Sequence, residues 1–248
     1  MEQLKTAPGS EHPAPPDKLS KKSAVLLASV LAAFFLLFCG ALCLIFLREK
    51  DWQEEVDRAV KAYEAKRYDE AVPVFVEAAA HGHDGGQYML GLCYEWGKGV
   101  EQDYAEALKW YRLAAEQDLA EAEMGVGFCY YVGHGAKQDY TEAAKWIRKA
   151  AEQGYSHAQF VLGTMYEFGF GVEKDEKEAV KWIRKAAEHD YAPAQTELGV
   201  FYENGIGVEK DTTEAVRWLR KAADQGFEDA AELLKDLEAN QWMHPKPR

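Results

Sequence analysis

From Gly82 to Gln225, small and apolar residues fall at helical spacing, and the pattern returns every 36 residues. The four units are Gly82–Gln117, Asp118–Gln153, Gly154–His189 and Asp190–Gln225. In each, the spacing predicts a first helix over about the fifth to fifteenth positions. The fifth position is small (Gly86, Ala122, Ala158, Ala194), the ninth aliphatic (Leu90, Val126, Leu162, Leu198) and the thirteenth tyrosine (Tyr94, Tyr130, Tyr166, Tyr202). Residues four apart share a helix face, so these form one packing stripe. A glycine sits beside that stripe in every unit (Gly91, Gly127, Gly163, Gly199). Glycine costs about 1 kcal/mol inside a helix, so its return implies close approach of two helices. A second helix then presents Ala107, Trp110 and Ala114 in the first unit, with the ring repeated at Trp146, Trp182 and Trp218. A large ring among small neighbours reads as core.

The link between the two helices is as regular as the helices. Paired glycines come first: Gly97 and Gly99, Gly133 and Gly135, Gly169 and Gly171, Gly205 and Gly207. The first of each pair suits a left-handed helix end, and the second lets the loop turn tightly. With no Lys-Ser/Thr following, the pairs read as helix termination rather than a phosphate cradle. Asp103, Asp139, Asp175 and Asp211 follow, each with a glutamate three residues later (Glu106, Glu142, Glu178, Glu214). That spacing predicts a capping box, in which the aspartate accepts from free N–H groups and the glutamate reaches back. Capping accounts for all eight carboxylates, so no catalytic pair is read from them.

The run Ala-x-x-x-Leu-Gly-x-x-Tyr-x-x-Gly-x-Gly-Val-x-x-Asp-x-x-x-Ala-x-x-Trp-x-x-Lys-Ala-Ala, Ala158 to Ala187, resembles the Sel-one-like repeat family, a branch of the tetratricopeptide-type solenoids. Departures are Gly86 at an alanine position, Ala136 at a valine position and Leu113 at a lysine position. The resemblance implies an all-α, right-handed superhelical solenoid of antiparallel helix pairs, used as a protein-interaction adaptor. Cysteine-rich members are associated with β-lactam binding. They carry a cysteine pair per repeat, which this chain lacks.

On either side of residues 82–225 the pattern changes. Residues 51–81 read as an N-terminal helix pair with a short Lys66-Arg67 turn, and Pro73 removes one N–H from its second helix. Residues 226–240 read as a lone, acidic C-terminal capping helix, and 241–248 as a tail. Residues 1–22 are polar, rich in Pro and Gly, and read as a disordered tail. Residues 24–47 hold no charge across 24 positions. About 36 Å of helix results, enough to cross a bilayer, so one uncleaved transmembrane helix is expected. Lys18, Lys21 and Lys22 precede it, and Arg48, Lys50, Arg58 and Lys61 follow among acids. The balance favours a bacterial inner-membrane protein with the tail inside and the repeats in the periplasm, cytoplasmic repeats being the alternative.

Net charge is -13, which disfavours nucleic acid and anionic lipid as partners. Two of the four cysteines, Cys93 and Cys129, occupy the twelfth, apolar position shared with Met165 and Phe201, and read as core. His81 and His83 lack a second ligand pair, so no metal or cofactor is expected. Positions that vary between units are free for recognition. The seventh holds Tyr88, Met124, Phe160 and Thr196; the eleventh Leu92, Phe128, Thr164 and Val200; the fourteenth Glu95, Tyr131, Glu167 and Glu203. They form a stripe turned away from the packing face and are expected to line the concave groove, unless the seventh and eleventh are half-buried between first helices. A protein or peptide segment with apolar and basic residues, such as an amphipathic helix, would suit it. The expected function is a non-catalytic, membrane-anchored interaction scaffold. A small-ligand or cell-wall (β-lactam or glycan) binding protein or enzyme is the alternative.

Overall fold

The computed structural model describes residues 52–243, with side chains through residue 239. The tail 1–22, the apolar segment 24–47 and the end of the C-terminal tail lie outside the described residues. Among the described residues there are eleven helices and no strand, and no helix is long and apolar enough to cross a membrane. The helices are α1 (52–64), α2 (Tyr68–Ala80), α3 (Asp84–Trp96), α4 (Tyr104–Ala115), α5 (Ala120–Val132), α6 (Tyr140–Glu152), α7 (Ser156–Phe168), α8 (Glu176–Glu188), α9 (Ala192–Asn204), α10 (Thr212–Asp224) and α11 (Glu228–Met243). α2 runs unbroken through Pro73, and α11 extends three residues past the predicted cap. From α2 to α11 consecutive helices pack on one another. Gln117 at the end of α4 bonds Gln87 at the start of α3, so the two helices of a unit run antiparallel.

The packing stripe lies where its spacing put it. The alanines at the fifth position and the aliphatics at the ninth are buried, as are Cys93, Cys129, Met165 and Phe201 at the twelfth. Gly127 and Gly163 face Ile147 and Ile183 of the following helix so closely that a Cβ would lie 2.5 Å from the isoleucine Cγ1. Close approach is thus the reason for glycine at the tenth position. The tyrosines at the thirteenth are half-buried and reach across to the preceding unit. Arg112, Arg148 and Arg184 stack on Tyr130, Tyr166 and Tyr202 at 5.4–5.5 Å. Arg220 continues the series into α11, where Glu238 stands in the tyrosine's place and forms a 2.6 Å ion pair. The tryptophans are roofed by a lysine one turn on: Lys149, Lys185 and Lys221 lie 4.1, 3.8 and 4.4 Å from the ring centres of Trp146, Trp182 and Trp218.

The predicted capping box is only half present. Asp103, Asp139, Asp175 and Asp211 each accept from two backbone N–H groups of the next turn. The glutamates do not reach back. Each aspartate's own N–H instead donates to the tyrosine carbonyl at the thirteenth position, as from Asp103 to Tyr94 at 3.0 Å. Glu106, Glu142, Glu178 and Glu214 pair with Lys109, Lys145, Lys181 and Arg217 three residues on. These exposed pairs contribute little stability.

The second loop glycine does more than permit a tight turn. Gly135, Gly171 and Gly207 have φ of +69°, +68° and +64°, and a Cβ on each would overlap the first carbonyl of the preceding unit's second helix (Tyr104, Tyr140, Glu176). The residue between the glycines stacks on the same turn: His134 on Tyr104 at 3.9 Å and Phe170 on Tyr140 at 5.4 Å. The loop is therefore the joint between successive units.

A buried polar ladder runs beside the joint. Gln87, Glu123, Gln159 and Gln195 at the sixth position are all buried. Three accept from the glutamine that ends the same unit (Gln117, Gln153, Gln225) at 2.8–2.9 Å. The glutamines also donate to the carbonyls of Ala79, Ala151 and Ala187, a bond Glu123 cannot make when ionised. Burial raises the Glu123 carboxyl above its ordinary range, against a lowering by the Gln153 amide.

Two stability predictions follow from these geometries. Gly154 has φ +93° but open space around it, whereas Gly171 has both the positive φ and the overlap. Gly154→Ala should therefore cost about 1 kcal/mol and Gly171→Ala about 3 kcal/mol, read from urea unfolding by circular dichroism; equal losses would refute the joint. Glu123→Gln should stabilise the chain by about 1 kcal/mol at neutral pH. The folded pKa lies above the unfolded one, so the ionised carboxylate costs stability at high pH and that cost fades as pH falls through the folded pKa. Melting curves from pH 4 to 8 should show the variant's advantage growing with pH; a flat difference would exclude the ionisation argument.

Candidate functional site

The groove stripe expected from the sequence is divided by the structure. At the seventh position Met124 and Thr196 are buried, while Tyr88 and Phe160 are half-buried. The Phe160 ring lies 5.7 Å from Tyr191 and Tyr88 lies 5.7 Å from Tyr111, so this position packs between neighbouring helices. At the eleventh, Phe128 is exposed and Leu92, Thr164 and Val200 are half-buried. At the fourteenth, Glu95 is buried and accepts the Tyr111 hydroxyl at 2.5 Å. Burial and that bond hold the Tyr111 phenol far above its usual pKa. Tyr131 packs on Tyr140 and Phe170. Glu167 and Glu203 are half-buried.

The side of the first helices away from the core runs through the fourth, eighth, eleventh and fifteenth positions, half-buried for the most part at the first three and exposed in all four units at the fifteenth. The fifteenth was missed by sequence reasoning, and it carries the largest exposed rings: Trp96 is 60% and Phe168 59% exposed, with Val132 at 39% beside Phe128 at 39%. Its residues (Trp96, Val132, Phe168, Asn204) vary between units as freely as those of the eleventh. That variation was the available signal. The position is the last of the helix, before the left-handed glycine, so its side chain projects past the packed turns. Because each unit repeats the same joint, the exposed faces of α3, α5, α7 and α9 line up as one strip.

The electrostatics of the strip are acidic. Burial raises the Glu197 carboxyl, and the neighbouring Glu167 raises it further. Burial also raises Glu167, with Lys174 opposing. Glu203 accepts from Lys210 at 3.0 Å through one oxygen, and its other oxygen is buried without a partner.

The remaining chemical candidates have structural duties. His83 caps α3, its Nδ1 accepting from the Gly86 N–H at 3.1 Å, and the His81 ring lies 5.0 Å from Trp52. Among the described residues no group of three or more His, Cys, Asp or Glu is placed to hold a metal. Cys93 and Cys129 are free and buried, and burial pushes both thiols up to about 12, which leaves them unreactive at neutral pH.

Comparison with known proteins fits this architecture. Residues 85–119, 120–155, 156–191 and 192–227 match the Sel1 repeat, in a frame displaced by two or three residues from the units above. A Sel1 repeat protein from Oxalobacter formigenes is 36% identical over 75% of this chain and 74% of its own, with a TM-score of 0.69. A protective antigen of uropathogenic Escherichia coli displaying an SLR fold is 32% identical over 81% of this chain and 44% of its own, with a TM-score of 0.71. An exopolysaccharide production negative regulator of Rhizobium meliloti is 41% identical over 56 residues, 23% of this chain and 21% of the regulator's length. Solenoids of this kind are in general non-catalytic modules for protein–protein interaction. With four consecutive repeats matched over more than half its length, the chain belongs to the Sel1 repeat family.

Proposed function

We propose that the protein is a membrane-anchored scaffold whose repeats hold a protein or peptide segment along the concave strip of first helices. The observation that carries this reading is the run of exposed Trp96, Phe128, Val132 and Phe168 in a chain of net charge -13. Contiguous exposed apolar surface on an otherwise charged protein marks an interaction site. The acidic flank formed by Glu167, Glu197 and Glu203 selects a partner that is basic as well as apolar. The uncharged segment 24–47 has the length of a membrane-spanning helix. It tethers the repeats to a bacterial inner membrane, with Lys18, Lys21 and Lys22 on the cytoplasmic side. Such a scaffold regulates or assembles its partner by position rather than by chemistry.

Two measurements test this reading. Phe128→Ser should abolish capture of the partner in crosslinking from membranes, while melting changes by less than about 0.5 kcal/mol. Phe160→Ser, at the packed seventh position, should instead cost about 2 kcal/mol. Capture that survives Phe128→Ser and Phe168→Ser together would sink the strip as the binding surface. For orientation, trypsin added to spheroplasts should digest the repeats without lysis; full protection would place them in the cytoplasm.

A further inference from the structure

Along the strip the chemistry changes from one end to the other. The first helices of the first three units contribute Leu92, Trp96, Phe128, Val132 and Phe168. α9 and α11 contribute five acids, Glu197, Glu203, Asp229, Glu232 and Asp236, beside Val200 and Leu233, whereas the acids of α3, α5 and α7 at these positions are Glu95, which is bonded to Tyr111, Glu121 and Glu167. No Lys or Arg stands at the fourth, seventh, eighth, eleventh, fourteenth or fifteenth position of any unit. The acidic end also has a shaped cleft of about 230 Å³ between α9, α10 and α11. Leu219, Leu233, Leu237 and Val200 line it, with Glu203 and Asp236 at its edge. Leu233 is 40% exposed there, and one Glu203 oxygen is buried without a hydrogen-bond donor among the described residues.

We infer that the strip is a graded site that takes its partner in one direction, with apolar anchors over α3, α5 and α7 and an arginine or lysine seated in the cleft between α9 and α11. An apolar lining beneath two carboxylates matches the two halves of such a side chain. The aliphatic stem lies on the leucines, and the cationic head meets the Asp236 carboxylate and joins Lys210 at Glu203. Lys210 already pairs with one Glu203 oxygen at 3.0 Å, so the charge that a neutral polar head would leave unmet is that of Asp236. An apolar head would leave the Glu203 acceptor buried and unbonded, at a cost. The inference rests on the strip being the binding surface, and adds the partner's polarity and the residue type at its far end.

The test uses the full-length chain in lipid nanodiscs, with empty discs as the blank. The probes are three synthetic peptides of one composition, about 36 Å long as helices of roughly 24 residues. Two carry Trp, Leu and Phe in one half and Arg in the other, in the two opposite orders; the third interleaves them. One block order should bind at least tenfold tighter than the interleaved peptide. The Glu203→Gln/Asp236→Asn double variant should erase that preference while melting as the parent does. Equal binding of all three, or a preference that survives the double variant, overturns the graded site and leaves the strip standing. Absence of saturable binding by any of the three overturns both.

Discussion

The arrangement depends on one steric fact: in the second, third and fourth units the second loop glycine sits against the first carbonyl of the preceding unit's second helix, where a Cβ would overlap it. No other residue allows that approach together with φ near +68°. The contact fixes how far one unit is rotated from the next, because the loop backbone cannot slide over a helix start it already touches. The aspartate after the loop ties the same place from the other side. Its carboxylate caps the second helix while its N–H donates to the tyrosine carbonyl of the first. Repetition of one rigid joint presents the first helices equivalently, so isolated exposed residues become a continuous surface.

Charge is divided by the same architecture. The second helices consume their cations internally. Arginines stack on the tyrosines of the next unit, lysines roof the tryptophans, and others pair with glutamates one turn away. Little positive charge is left for the first helices, whose strip carries acids alone. The overall acidity of the chain is therefore concentrated on the surface that has no packing duty. The lysines that do approach, Lys174 and Lys210, come from the loops at its edge.

Much of this was legible in the sequence because a repeat supplies its own comparison. Gly163 returns at a fixed place in each unit, and close approach to Ile183 is its only economical cause. The twelfth position, with Cys129 beside Met165 and Phe201 across units, was legible as an apolar slot for the same reason. Two features were not. The glutamates of the apparent capping box point to a lysine or arginine instead, because the aspartate N–H already has a partner that lies nine residues back in sequence and is adjacent only in the fold. The fifteenth position was hidden by helix-end geometry. A heptad-like count assigns Trp96 and Phe168 to the helix terminus without showing that the left-handed cap turns the chain away and leaves the ring uncovered.

That second miss bears on how a function is read from a solenoid. Variation between units identifies candidates, but two kinds of position vary. The seventh varies because Tyr88, Met124, Phe160 and Thr196 each fit a slightly different gap between neighbours. The fifteenth varies because its side chains at Trp96, Val132 and Phe168 are exposed, and the eleventh, half-buried except at Phe128, is constrained only in part. Only the latter kind presents a surface to a partner. The acidic end shows the distinction at a single residue. Glu203 varies from Glu95 in its environment, though both are glutamates at the fourteenth position. The internal Tyr111 hydroxyl satisfies Glu95, whereas Lys210 reaches only one oxygen of Glu203 and the other is buried with no donor among the described residues. A buried acceptor that the fold does not satisfy is costly, so two glutamates at one position of the repeat differ in what the chain itself supplies to them.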